Sequence, residues 1–185
     1  MSLTEYTPQA KICGLTLEKE ALACAKAGAD AIGMIFYPKS PRFVSDEQSR
    51  RICEALPSSV SKIGVFVDEP LEIILKKYRI CGLTGIQLHG NETPVLMRNL
   101  SEEGIFVIKG LFTRKRPFLS DAPKFRVSAY LVECGKGALP GGNAMAWNWS
   151  EAFEFGVNYP LVLAGGLNPE NVEKAISQSL QIGRA

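Results

Sequence analysis

The sequence predicts an α/β protein built as a (β/α)8 barrel, and three observations carry that prediction. Short runs rich in Ile, Val and Phe alternate with longer segments of helical period along the whole chain. Strands joined through helices take right-handed crossovers, which make the sheet parallel. No G-x-G-x-x-G follows the first apolar run, which counts against the open, doubly wound sheet of dinucleotide-binding proteins and favours the barrel.

The strand candidates are, in order, "AKICG" from Ala10, "AIGMIF" from Ala31, "KIGVFV" from Lys62, "GIQLHG" from Gly85, "FVIKGLF" from Phe106, "AYLVEC" from Ala129 and "PLVLAGG" from Pro160. Between the first two, Leu17, Ala21, Leu22 and Ala25 recur at helical spacing, and Gly28 is placed to stop the helix. The next crossover begins at Ser45, a good N-cap, and ends before Pro57; the third carries Pro70 near its first turn. "ETPVLMRNLSEEG" and "NPENVEKAISQSL" read as two further helices, the latter starting near Asn168 and Pro169. The fifth crossover, "TRKRPFLSDAPKFRVS", lacks a helical period and is expected to be irregular.

The 185 residues, 46% hydrophobic and 22% charged, are expected to form a single barrel domain over residues 1–185. As written, "AISQSLQIGRA" is followed by no eighth strand, phosphate loop or final helix, so this domain is expected to be incomplete at its C-terminus. Residues missing from the sequence as given, a truncated chain, or a second subunit covering the gap are the alternatives. A formal charge of +2 with scattered Lys and Arg gives no basic stripe, so nucleic acid is not an expected partner. No stretch approaches the roughly 20 apolar residues of a membrane span, and the polar start lacks a signal core. The five cysteines are odd in number and form no C-x-x-C pair, as suits a reducing, cytoplasmic setting. A small molecule is the expected partner.

In a barrel of this kind ligands meet the C-terminal ends of the strands, so polar residues at those ends are the candidates. Lys11 and Cys13 lie two apart in the first strand and share a face, turned to the axis if Ile12 packs on the helices. A cation beside a thiol favours the thiolate, the basic form. The alternative is that Cys13 is a small core hydrophobe. His89, the only histidine, closes the fourth strand, either as a working group or as a packing residue. Glu133 ends the sixth; a carboxyl aimed into a barrel is costly unless paired or working, and pairing with Lys11 is the structural alternative. Gly165 and Gly166, leaving the seventh strand, allow a backbone to approach a ligand and lead towards a helix N-terminus that favours an anion. Arg42, in the proline-rich loop after strand two, is either a bidentate carboxylate clamp or a solvated surface residue.

In order along the chain, "KICGLT", "GADAIGMIF" with "SPRFVS", "KIGVFV", "QLHGNE", the "PGG" loop ending in "WNW", and "LAGGLNPENV" resemble the phosphoribosylanthranilate isomerase family, from Lys11 to about Ala175. The resemblance implies a (β/α)8 (TIM) barrel of tryptophan biosynthesis that performs an Amadori rearrangement without metal or cofactor, as a monomer or homodimer. It implies that Cys13 is the general base and that the strand-six acid, an aspartate in the family, is here Glu133. Arg42 is expected to hold the anthranilate carboxylate, and Gly165 with Gly166 the phosphate. Lys11, His89, Gly141 and Gly142 are expected to border the substrate. Glu133 departs from the family by one methylene, and Ala144 stands where a third glycine is usual. A non-catalytic or decayed paralogue that binds a phosphorylated ligand or a protein partner is the alternative from another class. A different sugar-phosphate isomerase on the same barrel is a third.

Overall fold

The computed structural model describes residues 10–137 and 145–179. Seven strands form one sheet: β1 (Lys11–Cys13), β2 (Ala31–Ile35), β3 (Ser61–Phe66), β4 (Gly85–Leu88), β5 (Phe106–Phe112), β6 (Ala129–Glu133) and β7 (Leu161–Leu163). Every adjacent pair is parallel and the spatial order is the chain order, β1 to β7. A doubly wound sheet reverses its strand order at a switch point, and this one does not. Consecutive parallel strands with crossovers of one hand put all the helices on one side and curl the sheet about the other, which is the barrel arrangement.

The two faces carry separate cores. On the axis side Ala31, Ile63, Ile108, Ala129 and Leu131 pack together, with Phe106 and Val162 against them. On the outer side Ile32, Met34, Phe36, Phe66, Ile86, Leu88 and Val107 meet the helix residues Ala21, Ile52, Ile74, Met97 and Leu100. A second outer cluster joins Tyr130, Val132, Leu161 and Leu163 to Trp149, Ala152, Phe155 and Ala175. The strands are apolar on both faces because both are covered, the usual reason that parallel strands read as continuous hydrophobic runs.

The crossovers follow local chemistry. Helix α1 (Glu18–Lys26) ends just before Gly28, whose φ of +96° turns the chain towards β2. In α2 (Asp46–Ala55) the Ser45 hydroxyl accepts from the Gln48 amide while the Gln48 side chain accepts from the Ser45 amide, a reciprocal cap. Helix α3 (Leu71–Cys81) starts after Pro70 and ends at Gly82 in the left-handed conformation. Thr93 caps α4 (Pro94–Glu102). The fifth crossover is irregular as expected, a short 3-10 turn over Leu119–Lys124. The Tyr130 hydroxyl pins it to β6 by donating to Ala122 O at 2.8 Å and Phe125 O at 2.9 Å, and burial pushes that phenol's pKa up to about 12.

Three features differ from the sequence reading. Before β7 a 3-10 turn (Trp149–Ala152) runs into a short helix, α5 (Phe153–Asn158), which has too few residues to show a period. The final helix, α6 (Val172–Ser179), begins at Val172 rather than near Asn168. A turn precedes it, in which Asn168 Oδ1 accepts from the Glu170 amide at 3.1 Å. Ile12 does point away from Lys11 and Cys13, yet it is 40% exposed instead of packed on helices, β1 being an edge of the described sheet.

Replacing Ser45 by Ala removes a hydroxyl acceptor from the first turn of α2 and should cost about 1 kcal/mol. Urea denaturation is expected to show a lower midpoint at unchanged slope; an unchanged midpoint would show the cap to be idle.

Candidate active site

The strand alternation that separates the two cores brings the polar candidates to one rim. Cys13 pairs in register with Gly33 of β2. A Cβ built on Gly33 would lie 2.7 Å from Cys13 Sγ and 2.9 Å from Lys11 Nζ, so the thiol and the ammonium sit together over the space that this glycine leaves. Arg42 reaches the same corner from the loop after β2. That loop is held by the Val44 amide on Ile35 O at 3.0 Å and by the Arg42 amide on Ser40 Oγ at 3.2 Å. One guanidinium nitrogen, Nη1, donates to Cys13 O at 2.9 Å, fixing the group beside the end of β1 and leaving its other donors for a ligand.

Glu133 pairs across the sheet with β4, not with Lys11. Its Oε1 is 3.3 Å from His89 Nε2, both groups being buried. On the far side of the ring Gln87 Nε2 is 3.2 Å from His89 Nδ1. An amide nitrogen only donates, so Nδ1 accepts in this arrangement and Nε2–H is presented to Glu133 Oε1. Phe112 meets the imidazole edge-to-face at 5.3 Å. Lys115 lies 4.1 Å from the centre of that same Phe112 ring. Burial draws its pKa below the usual lysine value, while the Glu133 carboxylate pulls the other way.

At the end of β7, Gly165 and Gly166 take φ values of +89° and +69°. A Cβ on Gly166 would stand 2.2 Å from Ala146 N, so no side chain fits. The loop's carbonyls are tied back: Trp147 Nε1 donates to Ala164 O at 2.8 Å, Trp149 Nε1 to Gly165 O at 3.3 Å, and Asn171 Nδ2 to Gly166 O at 2.9 Å. Among the described residues the amides of Gly165, Gly166 and Leu167 meet no acceptor, which leaves a run of donors at one end of the site. Successive unpaired amides are a recurrent way to hold an anion.

These groups line one cavity of about 360 Å³, with Ile35, Val65, Val67 and Leu131 as apolar wall. Of the residues expected from sequence, Lys11, Cys13, Arg42, His89, Glu133, Gly165 and Gly166 all border it. Gly141 and Gly142 lie outside the described residues, as does Ala144. Gln87, Tyr37 and Ser40 also line the cavity, and sequence reasoning passed over them. The signal for Gln87 was available, since it shares the face of His89 two residues away. Among the described residues no group of three or more His, Cys, Asp or Glu side chains is placed to hold a metal, and no helix is long and apolar enough to cross a membrane.

Comparison with known proteins gives the family. The family model described as N-(5'-phosphoribosyl)anthranilate (PRA) isomerase matches residues 10–183. The chain belongs to that family. An isomerase of the same name from Desulfatibacillum aliphaticivorans is 48% identical over 172 residues, covering 93% of this chain and 79% of the relative. The crystal structure of phosphoribosyl anthranilate isomerase from Thermotoga maritima superposes with a TM-score of 0.85 at 38% identity, covering 94% of this chain and 84% of that one. Another isomerase structure, in complex with reduced 1-(o-carboxyphenylamino)-1-deoxyribulose 5-phosphate, has a TM-score of 0.81 at 37% identity, with 94% and 83% coverage. Mutually generated monomers of the dimeric Thermotoga maritima isomerase match with a TM-score of 0.80 at 36% identity, with 94% and 83% coverage.

The cysteines of this family member differ in access. Cys13 is half-buried and borders the cavity, whereas Cys53 is buried between helices and burial pushes its thiol pKa up to about 11. Iodoacetamide at mildly alkaline pH should therefore modify Cys13 in the native protein and spare Cys53. Peptide mass mapping checks this, and labelling of Cys53 ahead of Cys13 would contradict it.

Proposed function

We propose that this chain converts N-(5'-phosphoribosyl)anthranilate to 1-(2-carboxyphenylamino)-1-deoxyribulose 5-phosphate by general acid–base catalysis, with Glu133 as the acid and Cys13 as the base. The observation that carries the reading is that these two side chains, from β6 and β1, border one cavity whose ends are a guanidinium and a run of amides that meet no acceptor among the described residues. The substrate has a matching layout, a carboxylate at one end and a phosphate at the other, with the reacting sugar carbons between. Arg42 holds the carboxylate and the Gly165–Leu167 amides the phosphate. Two anchors convert encounter into a held geometry, which is a large part of any such rate enhancement.

The Glu133 carboxylic acid protonates the furanose ring oxygen. The bond from that oxygen to the anomeric carbon breaks, and the anilino nitrogen's lone pair forms the C=N bond of a protonated Schiff base. The Cys13 thiolate then removes the proton on C2', and the C–H electron pair moves to give the enolamine, which tautomerises to the ketone. His89 orients the Glu133 carboxyl, and Lys11 lies beside Cys13 at the base's end of the site. No step calls for an external electron acceptor, since the reaction only relocates protons and the carbonyl group within one molecule.

The reading extends to a protein acting as a monomer or homodimer, the latter by analogy with the dimeric Thermotoga maritima relative. Its compartment is the cytoplasm, a placement supported by five cysteines that are all free.

Cys13→Ala and Glu133→Gln should each lower kcat by about 10²- to 10⁴-fold while leaving the far-UV circular dichroism and melting temperature near the parental values. The parental gene should restore growth of a tryptophan auxotroph lacking this isomerase. Soluble protein without growth would favour a ligand-binding paralogue, and a Cys13→Ala enzyme with parental turnover would refute the assigned base.

A further inference from the structure

Behind the cavity, on the helix side of the sheet, lies a buried ion pair that the proposed chemistry does not use. Lys109 is the one charged residue in the apolar run of β5, and strand alternation turns it outward while its neighbour Gly110 faces the axis. It is fully buried. Its Nζ has three acceptors: Gly90 O at 2.7 Å, Glu92 Oε2 at 2.8 Å and Leu88 O at 3.4 Å. The Glu92 side chain is 1% exposed, and its other oxygen accepts from the Gly90 amide at 2.9 Å and the Asp68 amide at 3.2 Å. Burial draws the Lys109 pKa down, opposed by the Glu92 charge.

A buried ion pair is a poor source of stability, because desolvation offsets most of its attraction and apolar residues of similar volume often serve as well. What sets this pair apart is where its bonds land. Leu88 O, Gly90 N and Gly90 O are the main-chain groups on either side of His89, so lysine and glutamate together grip the backbone that carries the imidazole. The adjacent residue shapes the other side: a Cβ on Gly110 would lie 2.8 Å from His89 Nδ1, and its absence lets the ring sit against β5. We propose that Lys109 and Glu92 are positioning residues, a buried clamp that sets the place of His89 and through it the orientation of the Glu133 carboxyl. The effect on turnover rests on the acid–base reading above; the effect on the imidazole does not.

The double variant Lys109→Met, Glu92→Gln tests the clamp. Glutamine keeps an oxygen for the Gly90 and Asp68 amides, methionine keeps apolar volume, and no unpaired charge is left inside, but the cation's hold on Leu88 O and Gly90 O is lost. His89 is the chain's only histidine, so long-range 1H–15N correlation spectra report its tautomer and surroundings without overlap. The folded double variant should show displaced imidazole nitrogen signals. Its kcat should fall on the order of 10- to 100-fold, with KM within about twofold of the parent. Unmoved imidazole signals in a folded variant would overturn the proposal, whether or not the melting temperature drops. If the double variant does not fold, Lys109→Met alone, which also removes the cation's hold on Leu88 O and Gly90 O, takes its place under the same criteria. Displaced signals in the variant, with a parent that shows no isomerase activity, would uphold the clamp and count against the isomerase reading alone.

Discussion

Parallel register is the constraint on which the site depends. Cys13 and Glu133 are 120 residues apart in sequence and stand at β1 and β6, yet they border one cavity because every strand runs the same way. Each strand therefore delivers its C-terminal end to one rim. The period of two then selects which residues arrive there: Lys11 with Cys13, Gln87 with His89, Leu131 with Glu133. A slip of one residue in any strand would send its polar pair into the outer core and bring Ile12, Leu88 or Val132 to the ligand side.

Within that frame the polar groups are held by neighbours that either lack a side chain or bond to them directly. Gly33 leaves space for the Cys13 thiol and the Lys11 ammonium. The Gly165–Gly166 turn owes its orientation to two indoles and one amide, which take up its carbonyls and leave its N–H groups available. His89 is framed by Gln87, Phe112 and Glu133 on the cavity side and has its backbone held from behind by Lys109 and Glu92. Such support keeps reacting groups within fractions of an ångström of a working geometry, where misplacement is expensive in rate.

Much of this was legible in the sequence, for identifiable reasons. The seven strands announced themselves as Ile, Val and Phe runs because both sheet faces are buried, and the α2 boundary showed in Ser45 because capping is local chemistry. Faces were legible too, since alternation assigns them; distances across the sheet were not. The pairing of Glu133 with His89 instead of Lys11 depends on how far β4 and β6 curl towards each other, which no single strand encodes. Helix α5 escaped notice because "FEFGVN" is shorter than two helical turns and carries a glycine. The role of Lys109 was hidden for the opposite reason: a lone lysine in an apolar strand is visible, but its partners come from the end of β4 and the loop after it.

The central claim is that an acid from β6 and a base from β1 act on one substrate held between Arg42 and the Gly165–Leu167 amides. A crystal structure of this protein with reduced 1-(o-carboxyphenylamino)-1-deoxyribulose 5-phosphate tests it most directly. The account predicts the ligand's carboxylate on Arg42, its phosphate on the glycine turn, Cys13 Sγ next to C2' and the Glu133 carboxyl next to the oxygen freed by ring opening. A ligand bound elsewhere, or seated in the cavity with either Cys13 or Glu133 out of reach of the sugar carbons, would contradict it.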